Sequence, residues 1–179
     1  FIGDLTNMET AYAAKELFSK VFKSNLFESR SDNYYVNFTE KQNYIFNSNI
    51  SGIEKSDLIL MIGCNPRLEA TILNSRIRKS YLKSKLHIYS TNDIGDQTYP
   101  YKILDNSTNL IKDIVEGRNE LSEKIIKSSK PMIIIGKSVL KLKSGQYIFE
   151  EIKNFLKNNN KINNEWNSLN ILSKDASTV

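Results

Sequence analysis

Two uninterrupted apolar runs constrain this chain most: Leu58-Ile59-Leu60-Met61-Ile62 and Pro131-Met132-Ile133-Ile134-Ile135. A strand that is apolar at every position has no face to offer water, so both its faces must be covered, as in parallel sheets flanked by helices. Each run ends on a glycine, Gly63 or Gly136, followed by a polar loop and then a helical pattern. After Gly63, Asn65 suits a helix N-cap, and Pro66 suits the first helical position, where its missing N–H costs nothing. Leu68, Ile72, Leu73, Ile77 and Tyr81 then recur at helical spacing and predict one buried stripe, before Leu86 to Tyr89 reads as the next strand. Strand, helix and strand from Asp57 to Tyr89 have the size of a βαβ unit. After Gly136 a loop to Ser144 leads into a helix predicted to bury Ile148, Ile152, Phe155 and Leu156.

The rest of the chain is written in the same grammar with weaker signals. Phe1-Ile2-Gly3-Asp4 reads as a strand, and Thr6 with Glu9 three residues on reads as a capping box. The helix it opens carries Met8, Ala11, Ala14, Leu17, Phe18, Val21 and Phe22 on one stripe, predicted to be buried. Two short helices are expected over 108–116 and 120–127, capped from Asp105 to Ser107 and from Arg118-Asn119. Within 25–56 only Tyr34-Tyr35-Val36 and Tyr44-Ile45-Phe46 look like strands. The Asn/Lys-rich stretch 157–164 reads as a flexible loop. Trp166, Leu169, Leu172, Ala176 and Val179 lie three and four apart, which predicts a final helix over 165–179, cut short. The expected organisation is an α/β domain over 1–156, the loop 157–164, and a last helix of the same domain over 165–179. Alternating strands and helices predict an open, mainly parallel sheet with helices on both faces. The chain opens on Phe1 rather than Met and closes on Ala176-Ser177-Thr178-Val179 with no stop signal, so it is expected to be a segment of a larger protein.

Composition removes most catalytic designs. Among 179 residues there is one cysteine, Cys64, and one histidine, His87. A cysteine-ligated iron–sulfur cluster takes four thiolates, and zinc sites and nucleophile–base pairs draw on several Cys and His residues. No catalytic residue and no metal ligand set is therefore expected here. The net charge of +5 is dispersed. Its densest stretches, Arg76 to Lys85 and Lys137 to Lys143, fall on or beside helices and read as solvated faces, and no nucleic-acid motif accompanies them. The longest apolar run is far shorter than the ~20 residues a membrane helix needs.

In open α/β sheets ligands bind beyond the carboxyl ends of the strands. Gly3-Asp4, the Gly63 loop and Gly136-Lys137-Ser138 occupy such positions. None forms a Gly-x-Gly-x-x-Gly fingerprint, and Gly136-Lys137-Ser138 lacks the upstream glycine of a phosphate loop. Gly63, Cys64, Asn65, Pro66 and Arg67, with Glu69 behind them, make the better candidate, because a helix N-terminus offers free N–H groups to an anion and Arg67 adds a positive charge. The competing reading is structural: Asn65 as cap, Pro66 in the first turn, Arg67 paired with a carboxylate. Cys64 is either a thiol activated by the helix terminus or a packing residue, with packing favoured. His87 reads as mid-strand, in the core or on a sheet face.

At this loop the letters resemble a known family. Asp57-Leu58-Ile59-Leu60-Met61-Ile62-Gly63-Cys64-Asn65-Pro66-Arg67-Leu68-Glu69-Ala70, continuing through Leu73-Asn74-Ser75-Arg76-Ile77-Arg78-Lys79, is similar to the large iron–sulfur subunits of respiratory complex I, NADH-quinone oxidoreductase. Gly3-Asp4-Leu5 with Glu9, Thr98-Tyr99-Pro100-Tyr101, Pro131 to Gly136 and Trp166 to Ala176 extend the likeness over nearly the whole chain. Cys64, Thr71 and Ile103 depart from it, standing where Thr, Pro and (nearby) His are usual. The resemblance implies a Rossmann-type, molybdopterin-oxidoreductase-like domain that binds no molybdenum, in which the Gly63 to Glu69 loop is vestigial. It implies 2Fe-2S and 4Fe-4S clusters in a cysteine-rich part outside this segment, carrying electrons from NADH to quinone. It also implies partners among the subunits of the complex I peripheral arm, with no nucleic acid and no direct membrane insertion. The place implied is the cytoplasmic side of a bacterial inner membrane or the mitochondrial matrix side. The alternative is a domain that still binds a nucleotide or pterin on Gly63 to Arg67.

Overall fold

The computed structural model describes residues 6–26, 34–84, 86–104 and 109–173, in two compact units. In the first, helix α1 spans Met8–Glu16 and runs on as a π-helical turn over Leu17–Val21. Its cap is Asn7, whose side chain accepts from the Thr10 N–H at 3.1 Å, rather than Thr6. The Phe18 and Phe22 rings meet edge to face at 5.5 Å. The stripe expected to be buried is not: Met8, Leu17, Phe18, Val21 and Phe22 are all exposed. Periodicity marks which face of a helix is apolar but says nothing about what covers it. The predicted strand at Phe1 to Asp4 lies outside the described residues.

The second unit is built on five strands: β1 Leu58–Ile62, β2 His87–Ser90, β3 Lys102–Ile103, β4 Pro131–Gly136 and β5 Leu169–Leu172. They lie in the order β3-β2-β1-β4-β5, and every neighbouring pair is parallel. β1 is central, with Leu60 level with Tyr89 on one side and Ile133 on the other. Because β1 and β4 are buried at every position, each strand feeds two cores. Leu58, Leu60, Ile62, Ile133, Ile135, Leu169 and Ile171 face one core. It is closed by Leu110 and Ile114 of α5 (Leu110–Val115), Leu121 and Ile125 of α6 (Glu120–Lys127), and Phe149, Ile152, Phe155 and Leu156 of α8 (Gly145–Asn158). Ile59, Met61, Ile88, Met132 and Ile134 face the other, with Leu73 and Ile77 of α4 (Thr71–Lys83) and Ile53, which follows the short helix α2 (Asn49–Gly52). The open parallel α/β sheet expected from the two apolar runs is the fold. The predicted cap at Asn119 also forms, accepting from the Leu121 N–H at 2.9 Å, whereas Asp105 to Ser107 lie outside the described residues.

Several local readings need correction. The helix after Gly63 comes in two pieces, α3 (Pro66–Glu69) and α4, separated at Ala70 by a backbone at φ −152° and ψ 73°. The buried positions of α4 are Leu73, Asn74, Ile77 and Ser80; Ile72, and Leu68 on α3, lie off that face and are exposed. Similarly, α8 buries Phe149 where Ile148 was expected, and Ile148 is half-buried. The third correction concerns the end of the chain, where the predicted helix over 165–179 is strand β5. Leu169 and Ile171 turn into the core while Asn170 between them is buried against Ser48, accepting from its N–H at 2.8 Å. The alternation has period two, and the three-residue spacing of Trp166, Leu169 and Leu172 coincides with a helix only by chance. Ala176 and Val179 lie outside the described residues. Finally, His87 is not in the core or at mid-strand; it is exposed at the first position of β2.

The two strand-like runs before β1 do not form strands. Phe46 makes one antiparallel bridge to Asn170 and Ile45 accepts from the Ile171 N–H, so the second run lies along the edge of β5. The stretch read as a loop over 157–164 begins inside α8 and is then tied back by a bridge between Ile162 and Asn167.

Asp57, just ahead of β1, fixes the start of β4. Its carboxylate accepts from the Ser128 hydroxyl, from the Ser129 N–H at 2.7 Å and from the Lys130 N–H at 3.0 Å. Desolvation pushes its pKa up, but these three donors outweigh it and leave the pKa below the usual carboxylate value. A carboxylate depressed in the folded state adds stability above its unfolded pKa, near ~4, and loses it as pH falls through the folded value. The penalty of Asp57→Asn should therefore be full at neutral pH and shrink below about pH 4. Urea denaturation of both proteins across that range checks it; a penalty independent of pH contradicts it.

Candidate ligand crevice

The helix after β1 covers one face of the sheet and the helix after β4 covers the other. Adjacent strands whose connections leave in opposite directions define the switch point at which open α/β sheets hold ligands. The crevice of this fold therefore lies beyond Ile62 and Gly136, between the Gly63 loop and α7 (Lys137–Leu140).

It is closed by direct backbone contact. A Cβ on Gly136 would collide with the Gly63 carbonyl oxygen and stand 2.7 Å from Cys64 Cβ. Gly63, at φ +57°, has the complementary limit: a Cβ there would collide with Val139 and stand 2.8 Å from Ser138 Oγ. The Ser138 hydroxyl donates to the Gly63 carbonyl. Ser138 thus binds the opposite strand's loop, and the Gly136-Lys137-Ser138 letters form no phosphate cradle. Lys137 lies over the Tyr34 ring at 4.9 Å.

The predicted site residues are brought together, but toward one another. Cys64 is buried, its Sγ 3.8 Å from the Ile134 carbonyl. Burial first, and the Glu69 carboxylate second, push its thiol pKa far up, so it is a packing residue. Asn65 caps α3 with its backbone only. Its side-chain amide donates to the Ile94 carbonyl at 3.0 Å and its oxygen accepts from Gln97 Nε2 at 3.0 Å. Pro66 holds the first position of α3, and Glu69 reaches back to accept from the Asn65 N–H at 2.8 Å. The Arg67 N–H donates to Gln97 Oε1 at 3.2 Å, and its guanidinium takes Asp96 at 2.7 Å. A hydrogen bond from the Thr98 N–H first, then Arg67, holds the Asp96 carboxyl below its usual range.

Gln97 was the residue that sequence reasoning missed. It is fully buried and joins Asn65, Arg67 and Ile94. A lone glutamine in a polar loop carries no signal of that role. The Thr98-Tyr99-Pro100-Tyr101 segment did carry one. The Tyr99 hydroxyl donates to buried Asn74 Oδ1 at 2.7 Å, Asn74 donates to the Gln97 carbonyl at 3.2 Å, and the Tyr101 hydroxyl donates to Asp93 at 2.8 Å. The two loops beyond β1 and β2 are therefore one hydrogen-bonded body.

Comparison with known proteins agrees with this fold. The family model described as molybdopterin oxidoreductase matches residues 1–179. The chain belongs to the molybdopterin oxidoreductase family. It is 38% identical to the NADH-ubiquinone oxidoreductase 75 kDa subunit of Reclinomonas americana, over 99% of this chain and 28% of that protein. It is 34% identical to the mitochondrial NADH-ubiquinone oxidoreductase 78 kDa subunit of Candida albicans, over 99% of this chain and 25% of that protein. A third relative, the mitochondrial NADH dehydrogenase (ubiquinone) iron-sulfur protein 1 of Solanum tuberosum, is 30% identical over 99% of this chain and 24% of its own length. The chain spans about a quarter of the length of these relatives.

A family named for a pterin cofactor directs attention to the switch point, where the side chains of Asn65, Arg67 and Ser138 bond to the protein's own backbone and loops. A methyl group at either Gly63 or Gly136 would meet protein atoms, so the ends of β1 and β4 are packed directly on each other. Among the described residues no group of three or more His, Cys, Asp or Glu side chains is placed to hold a metal ion.

The closure can be weighed. Gly136→Ala forces a methyl into backbone and should cost about 3 kcal/mol, the upper part of the usual overpacking range. Gly117→Ala, at φ +77° with open space around it, should cost only the left-handed penalty of about 1 kcal/mol. Denaturant midpoints of the two variants decide; equal costs would mean that the contact at Gly136 is loose.

Proposed function

We propose that this chain is a structural, non-catalytic segment of the large iron–sulfur subunit of NADH:quinone oxidoreductase, respiratory complex I. The observation that carries this reading is the closed switch point: a fold from a cofactor-binding family whose crevice is filled by its own Gly63, Gly136 and Ser138. Its support from relatives is the likeness over 99% of the chain to subunits bearing that enzyme's name. On this reading the whole of 1–179 belongs to one molybdopterin-oxidoreductase-like domain. The 2Fe-2S and 4Fe-4S clusters that relay electrons from NADH sit in parts of the protein outside it, and no molybdenum is bound. The Gly63 to Glu69 loop is vestigial as a ligand site and serves as an internal tie, with Asn65 and Arg67 spent on the loop beyond β2 and Glu69 on the Asn65 N–H.

The domain's partners are then the other subunits of the peripheral arm, on the cytoplasmic side of a bacterial membrane or the matrix side of a mitochondrial one. Attachment to the membrane is through the complex; no helix among the described residues is long and apolar enough to cross a bilayer. The protein contributes to an oxidoreductase without touching its reacting atoms.

The rival reading, a pterin or nucleotide held on Gly63 to Arg67, gives the opposite result in one experiment. Protein purified from its native source should carry substoichiometric molybdenum and no extractable pterin. Arg67→Ala should leave nucleotide binding undetectable in both forms and lower stability by less than about 1 kcal/mol, as for an exposed ion pair. Stoichiometric molybdenum, or a ligand whose affinity falls with Arg67→Ala, overturns the proposal.

A further inference from the structure

The break at Ala70 leaves a surface that a simple solvated face does not explain. Leu68 of α3 and Ile72 and Leu82 of α4 are 74%, 70% and 71% exposed. Around them α4 carries Arg76, Arg78, Lys79 and Lys83 and no carboxylate. A groove of about 490 Å³ lies beside them, lined among others by Arg67, Thr71, Ser75, Arg78, Lys79 and, of the three exposed apolar residues, Leu82. Its charge is only partly neutralised. Arg76 and Lys79 share a single carboxylate oxygen, Glu54 Oε1, at 2.7 and 3.0 Å. Arg67 has the exposed Asp96. Arg78 forms no direct ion pair with any described residue, although Asp96 feels its charge.

We propose that the outer face of α3 and α4 is a docking groove for an acidic segment of a partner protein, one that carries an apolar side chain to cover Leu82. The excess positive charge selects acidic groups, since complementary potentials set partner choice and register at interfaces. Exposed Leu82 in the groove, with Leu68 and Ile72 exposed nearby on α3 and α4, selects a protein. A nucleic acid would find no aromatic ring to stack on among the groove-lining residues and would leave the apolar side chains uncovered. A lipid surface is met by a helix whose apolar face is separate from its charged one. Here the apolar face of α4 is spent on the sheet, and its outward apolar residues are interleaved with cations. The inference is independent of the proposed function: it holds for any assembly that presents such a segment.

The test places a photo-crosslinking benzoylphenylalanine at position 82 of the full-length protein in its native host, with the same group at exposed Tyr147 on α8 as control. Adducts are mapped by mass spectrometry. The expected result is one dominant adduct at position 82 to an acidic peptide of another protein. Its yield should fall by about tenfold in Arg78→Glu and persist in Arg78→Lys, as for a contact set by charge complementarity. Unchanged circular dichroism and melting of Arg78→Glu separate lost docking from lost folding. A yield no higher than at position 147, an adduct to a non-acidic peptide, or an adduct within the same polypeptide overturns the proposal. So does binding of the purified protein to phosphatidylcholine–phosphatidylserine vesicles or duplex DNA that Arg78→Glu abolishes.

Discussion

The carbonyl of Gly63 lies against the Cα of Gly136, and the architecture around it follows from that approach. Two parallel strands keep a uniform spacing along their ladder, but the loops beyond them normally diverge, because their helices leave toward opposite faces. Here they do not diverge. With no side chain at either position the backbones touch, Ser138 ties the α7 turn to the Gly63 carbonyl, and Val139 packs on Gly63. Cys64 is thereby pressed onto the Ile134 carbonyl under the sheet's end. The strands beneath hold their register from Leu58 with Pro131 to Ile62 with Ile135.

Once the crevice is filled, the polar residues of the loop must find partners inside the protein, because a buried donor or acceptor left unmade costs about 1–3 kcal/mol. Gln97 meets that demand for Asn65 and Arg67, and Asn74 and Tyr99 extend the network to α4. A letter pattern that resembles a ligand loop is therefore also what an internal tie requires: a proline to start a helix, an asparagine to bridge two loops, a glutamate to satisfy the cap. The chemistry of the residues is compatible with both roles.

The architecture was legible because β1 and β4 are apolar throughout, and only a doubly covered parallel strand tolerates that. The helices α5, α6 and α8 followed from period and caps, with Asn119 in its predicted place. What was hidden was phase and cover. The Ala70 break has no strong sequence signal, since Ala is a good helix former, and Leu68 and Ile72, predicted core, lie off the buried face set by Leu73 and Ile77. The four-residue run at Leu169 was too short for helix and strand periods to differ, and only pairing with β4 decides it. The candidate loop was found by its letters. That it is shut was not legible, because closure depends on Gly136, Ser138 and Val139, more than seventy residues away in the chain.

Cys64 offers the most direct probe of that closure, being the one thiol in the chain and lying beneath it. Native-state labelling with a small disulfide reagent, followed across low urea concentrations, reads how the crevice opens. The expected result is labelling only through global unfolding, with the urea dependence of the full transition and no effect of added nucleotide or pterin. Rapid labelling in the absence of urea, slowed by such a ligand, would mean that the crevice opens in the folded protein and still binds, and it would contradict the account.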